Sequence, residues 1–170
     1  MSYREENEKL IPRLKRADIV RIERDKGYFH FALYIGDMMA IHLVGPSHIC
    51  GISSGGLSSG SMAAATCLQC TFGEVKKELL LEIAGKDLIS IANINEPFDD
   101  ESEVIKRAEA QIGVHHYNLL KYNCEHFVNH MKYNLKRSMQ VENIKRNPSI
   151  HITGIVLASS NTLSDVSNQI

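Results

Sequence analysis

The stretch KYNCEHFVNHMKYNL, residues 121–135, decides how this chain is read, because it places a cysteine directly after a strong helix-capping residue. With Asn123 as N-cap, Cys124, Phe127, Val128, Met131 and Leu135 fall at i, i+3, i+4, i+7 and i+11, one face of a helix. The thiol then points at whatever the helix packs on. The first turn of a helix leaves backbone N–H groups unpaired and carries the positive end of the dipole, so it favours a thiolate and offers the Cys124 N–H to an oxyanion. The competing account is an inert core thiol, since free cysteine is among the most buried residue types. The segment alone leaves both open.

Upstream lies a hairpin. Asp18–Glu23 has the β-branched content of a strand, and Arg24-Asp25-Lys26-Gly27 ends it. In Tyr28–Ile35, Phe29, Phe31, Leu33 and Ile35 share one face, leaving Tyr28, His30, Ala32 and Tyr34 on the other. A turn at Gly36-Asp37 leads to a third strand, Met39–Val44, which carries His42. The loop length has a consequence for the two histidines. A two-residue loop, Gly36-Asp37, pairs position 30 with 43 and puts His30 and His42 on opposite faces. A three-residue loop, Gly36-Asp37-Met38, pairs 32 with 42 and sets the histidines diagonally on one face, about 7–8 Å apart at the backbone. Cooperation between them requires the second register.

The rest of the chain is plainer. Residues 46–61 are rich in Gly and Ser and read as a long loop. Val75–Ile83 reads as a strand closed by Gly85, and Glu101–Ile112 as a helix with Val104, Ile105, Ala108 and Ile112 on one stripe and Gly113 as its terminator. The adjacent His115 and His116 read as turn or surface histidines. Residues 1–12 form a charged arm, 13–146 one domain, and 147–170 a polar, disordered tail.

Composition narrows the class. The chain has 170 residues, 44% hydrophobic and 23% charged, which suits one soluble domain of mixed secondary structure. A net charge of -1 supplies no dominant basic field for nucleic acid. Four cysteines behind a polar start suggest a cytoplasmic protein with reduced thiols. The apolar stretch 150–158 is far short of the roughly 20 residues of a spanning helix. Basic pairs such as Lys76-Lys77 and Lys145-Arg146 would draw an anionic bilayer only if they shared a face.

Cysteine catalysis needs a base within hydrogen-bond reach and a third group to orient it. His30 is the first candidate base, mid-strand and beside Tyr28, and a core histidine satisfied by a carbonyl is its equal rival on spacing alone. His42 is the candidate orienting group. Cys67 and Cys70 have CxxC spacing, and His126 and His130 stand at i, i+4 of one helix, yet the separation between these pairs and the lack of an H-E-x-x-H pattern argue against zinc. No metal and no cofactor are expected.

Taken together, YFHFALYIGDMMAIHL, VKKELLLEIAG, IKRAEAQIG and YNCEHFVNHMKYN resemble the phospholipase A and acyltransferase branch of the lecithin:retinol acyltransferase-like family, over about Ile11 to Arg146. The resemblance implies an α+β fold that is a circular permutation of the NlpC/P60 papain-like hydrolases, an antiparallel sheet with the nucleophile at a helix N-terminus. It assigns Cys124 as nucleophile, His30 as general base, His42 as the orienting residue and Tyr28 as an oxyanion aid. It implies acyl transfer from glycerophospholipids through a thioester to water, to the amine of phosphatidylethanolamine or to a lysophospholipid, by a monomer that meets membranes peripherally. Phe31 stands where relatives carry tryptophan, and Met38 where they often carry glycine, which would put a non-glycine in left-handed backbone. The rival readings are a retinol-type acyltransferase, a papain-like peptidase and a non-enzymatic lipid-binding regulator.

Overall fold

The alternation in Phe29–Ile35 and Met39–Val44 is realised as the central hairpin of one antiparallel sheet. The computed structural model describes residues 3–24, 28–45, 72–118 and 121–146. Among these, the strands are β1 (Ile19–Glu23), β2 (Phe29–Gly36), β3 (Met39–Val44), β4 (Phe72–Leu79), β5 (Ile89–Ile91) and β6 (Gly113–His116), and their order in the sheet is β5-β1-β2-β3-β4-β6. The helices are α1 (Arg4–Leu10), α2 (Leu80–Ala84), α3 (Glu101–Glu109), α4 (Cys124–Tyr133) and α5 (Met139–Arg146), with a 3-10 turn at Ile11–Arg13. The fold class is thus α+β, as the sequence implies.

The β2–β3 connection differs from both loops considered. Asp37 and Met38 form a two-residue turn with φ of 50° and 60°, the left-handed pair that matches strand twist in a hairpin. A bulge between Tyr34 and Gly36, with Gly36 at φ 99°, absorbs one extra residue in β2. Turn and bulge together restore the register expected of the three-residue loop: Leu33 opposes Ile41 and Tyr34 opposes Ala40. The two histidines therefore share a face.

Both faces of β2 are covered, which explains its near-continuous apolar run. On one face Ile19, Phe31, Leu33, Ile41, Leu43 and Val75 pack under Val104 and Ala108 of α3 and Phe127, Val128 and Met131 of α4. On the other, Val20, Ile22, Ala32, Tyr34 and Ala40 pack against Ile11 and against Leu80, Ile83 and Ala84 of α2.

Three expectations need correction. Leu80–Ala84 is a helix, not the end of a strand: its buried residues Leu80, Ile83 and Ala84 have helical spacing, and Gly85 ends it at φ 62°. Helix α3 stops at Glu109, and Gly113, at φ 128°, begins β6 instead of terminating the helix. His115 and His116 lie in β6, paired with Gly73 and Phe72, and so not in a turn, though His116 is a surface residue as expected. The N-terminal arm contributes α1, which docks through Asn7: its Nδ2 donates to the Asp87 carbonyl at 2.8 Å and its Oδ1 accepts from the Ile89 amide at 3.0 Å. The Gly/Ser-rich loop, Cys67, Cys70 and the tail 147–170 lie outside the described residues.

Gly73 of β4 stands close to its surroundings. A Cβ there would sit 2.5 Å from the Val44 carbonyl oxygen and 3.0 Å from the Tyr117 side chain. Gly73→Ala is expected to cost about 1–3 kcal/mol of stability, as overpacking against a fixed backbone does; a denaturant-unfolding series checks it.

Candidate functional site

The helix that presents Cys124 is started by Asn123. Its Oδ1 accepts from the Glu125 and His126 amides at 3.0 and 3.1 Å, and the Asn123 amide donates to His126 Nδ1 at 3.3 Å, a reciprocal capping box. His126 is thereby explained as a cap partner. Asn134, in left-handed backbone, closes the helix.

Cys124 is 1% exposed, and its sulfur is packed against the start of β2. Sγ lies 3.5 Å from the Tyr28 hydroxyl and 3.9 Å from the Phe29 carbonyl oxygen, and the Phe31 amide also bonds it. Burial pushes the thiol pKa up, while Tyr28 and the Phe31 amide pull it back without cancelling the rise. The thiol is therefore not a thiolate at rest, contrary to what its position alone suggests: desolvation outweighs the hydrogen bonds that would stabilise the charge. The Tyr28 hydroxyl is itself held well above its ordinary range, first by burial and then by the charge that Cys124 would carry. It stays protonated and able to donate.

The histidines form a second hydrogen-bonded unit. His30 Nε2 is 2.8 Å from His42 Nδ1, with the rings edge to face. His42 Nε2 is in turn 2.7 Å from Glu78 Oε2. Both rings are buried, His42 at 5% exposure. Burial lowers the His42 pKa, Glu78 raises it, and Lys76 and Arg24 lower it further. The net is a fall, so the ring is neutral near pH 7.

The two units meet across the end of β2. The register sets His30 opposite Ile22, on the face of Ala32 and Ala40, whereas Cys124 packs in the cluster of Phe31 and Leu33. The sulfur nonetheless touches the backbone on either side of His30, at Phe29 and Phe31. Tyr28 departs from the strand alternation and turns toward Cys124. Two pairs thus lie near the start of β2: Tyr28 joined to Cys124 and His30 joined to His42, with the sulfur bonded to the backbone of the residues on either side of His30.

Two features escaped the sequence. One is Glu78, read only as part of the strand Val75–Ile83. The other is a clamp around Glu125, whose carboxylate accepts from the Ser138 hydroxyl and from the amides of Met139 and Gln140 at 3.0 Å each. It caps α5 from its N-terminal side. Gln140 then spans the Phe29 backbone, with Oε1 accepting from its amide at 3.1 Å and Nε2 donating to its carbonyl at 3.2 Å. Elsewhere, His116 lies over the Phe72 ring, and no described helix is long and apolar enough to cross a membrane.

Comparison with known proteins gives a consistent result. A family profile described as lecithin retinol acyltransferase matches residues 12–137. The chain is 37% identical over 156 residues to phospholipase A and acyltransferase 3 of Mus musculus, covering 88% of each chain. It is 37% identical over 137 residues to phospholipase A and acyltransferase 2 of Homo sapiens, covering 76% of this chain and 77% of the other. Similarity to lecithin retinol acyltransferase of Rattus norvegicus is lower, 28% over 136 residues, with 75% and 58% covered.

The lowered histidines give stability a pH dependence. His42, His126 and His130 are each pushed below the usual 6.5, chiefly by burial. Between the folded and unfolded values the unfolded chain binds more protons, so stability rises with pH there and is lost as pH falls through 6.5. Thermal melts from pH 8 to pH 5 are expected to show a falling midpoint below pH 6.5, with a shallower slope in His42→Gln.

Proposed function

The chain belongs to the lecithin retinol acyltransferase family, and from that membership and the site's geometry we propose that it is a thiol-dependent phospholipid acyltransferase and phospholipase A1/A2. The observation that carries this reading is the buried thiol at a capped helix start, set against the strand that bears His30, which is hydrogen-bonded to His42 of the next strand.

Cys124 is the nucleophile, His30 the general base and His42 the residue that orients it. Because burial keeps the thiol protonated, attack needs a base. His30 takes the Sγ proton as sulfur adds to the ester carbonyl, the acyl C–O bond breaks, and the proton passes to the departing lysophospholipid oxygen. The Tyr28 hydroxyl and the Cys124 amide supply the donors for the oxyanion. In the second half the acceptor attacks the thioester, loses its proton to His30, and the sulfur regains one. Water as acceptor gives a fatty acid, the amine of phosphatidylethanolamine an N-acyl product, and a lysophospholipid hydroxyl an O-acyl product.

The fold that supports this chemistry is a circular permutation of the NlpC/P60 papain-like hydrolases, with residues 13–146 as the catalytic domain. The protein works as a cytoplasmic monomer at membrane surfaces, holding them peripherally, and uses neither metal nor organic cofactor.

Brief incubation with phosphatidylcholine vesicles followed by intact-protein mass spectrometry is expected to show a hydroxylamine-labile acyl adduct on the wild type and none on Cys124→Ala. His30→Gln is expected to lose nearly as much activity, and His42→Gln less. An active Cys124→Ala protein would end the proposal.

A further inference from the structure

The polar line that begins at His30 does not end at His42. Glu78 lies on β4, opposite Ala40 in the β3–β4 register, and its Oε2 closes on His42 Nε2 at 2.7 Å. The His42 side chain is 6% exposed, and that of Glu78 43%, so the acid keeps contact with water while its partner does not.

An ionised carboxylate only accepts hydrogen bonds. The proton between Glu78 and His42 therefore sits on His42 Nε2. A neutral imidazole carries one N–H, so His42 Nδ1 is an acceptor, and the atom 2.8 Å from it, His30 Nε2, must donate. His30 then carries its basic lone pair on Nδ1. The reverse assignment, with His42 Nδ1–H donating to His30 Nε2, would satisfy the 2.8 Å contact equally well. It would also turn the His30 lone pair into the histidine pair and away from any substrate proton.

We propose that Glu78 is a positioning residue of the active site, fixing the tautomers of His42 and His30 so that His30 Nδ1 is the basic atom; this rests on the acyl-transfer reading above. The charged groups that act on His42 are consistent with a neutral ring for Glu78 to set. Lys76, directly opposite on β4, and Arg24 beyond β1 both disfavour its protonation, as burial does, against the pull of Glu78. His30 faces it from β2. Helix α4, with Cys124, Glu125, His126, His130 and Lys132, packs on the other face of the sheet.

The test is nitrogen-15 NMR of the histidine rings in the full chain at neutral pH, with His30 and His42 assigned by difference from His30→Gln and His42→Gln. Lysophospholipid release from phosphatidylcholine vesicles is followed alongside. In the wild type both rings are expected to be protonated at Nε2. In Glu78→Ala, His42 is expected to lose its single tautomer, with kcat falling about 10- to 100-fold and KM unchanged, less than a direct acid–base group because Glu78 acts at one remove. Glu78→Gln, whose carbonyl oxygen can accept the same proton, is expected to retain the tautomers and recover part of kcat. A wild-type His42 protonated at Nδ1 overturns the inference, even if Glu78→Ala does not fold. Unchanged tautomers and kcat in a folded Glu78→Ala overturn it equally. A wild type that releases no lysophospholipid overturns the acyl-transfer reading instead, and the spectrum still reports on Glu78.

Discussion

Two backbone groups of one residue organise the candidate site. The amide and carbonyl of Phe29 are taken by the side chain of Gln140 and not by a neighbouring strand, and the same carbonyl receives the thiol of Cys124. Polar backbone groups away from water must find partners, so the start of β2 is fastened to α5 and to the first residue of α4 at once. Gln140 is placed by the Glu125 clamp, and Glu125 follows Cys124 in the chain. Cys124, β2 and α5 thus depend on one another through a few side chains close together in space.

Electrostatically the site is two buried units with opposite needs. The thiol and Tyr28 are both held in their neutral forms by desolvation, and each is a hydrogen-bond neighbour of the other. His42 is also neutral, and the histidine pair ends on a carboxylate that reaches the surface. A buried polar line is tolerated only when each member is satisfied, and Glu78 supplies the last acceptor where water can support its charge.

Much of this was legible in the sequence, for reasons that can be stated. The Asn-Cys start of α4 was readable because capping and helical periodicity are local. The histidine register was readable as a choice between loops. Its realisation was only partly so: Met38 takes the left-handed backbone expected of it, but the bulge at Gly36, which depends on strand twist, was not foreseen. Leu80–Ala84 misled because a short apolar run fits strand or helix equally. Glu78 was hidden for a different reason: its partner lies 36 residues earlier on another strand, and no local pattern reports the register between them. The Glu125 clamp and the docking of α1 through Asn7 are likewise long-range pairings of polar residues that read as surface.

The distances along the chain between these partners also order events during synthesis. The β2–β3 hairpin closes over a two-residue turn, so its histidines can come together as soon as that short stretch leaves the ribosome. The sulfur meets Tyr28 and Phe29 across 96 and 95 residues, and Gln140 meets Phe29 across 111. Contacts of such separation form late, because the closure entropy of the intervening chain must be met first. The nascent protein therefore carries its histidine pair well before Cys124, and the contacts of the sulfur with the start of β2 are made only after α4 arrives.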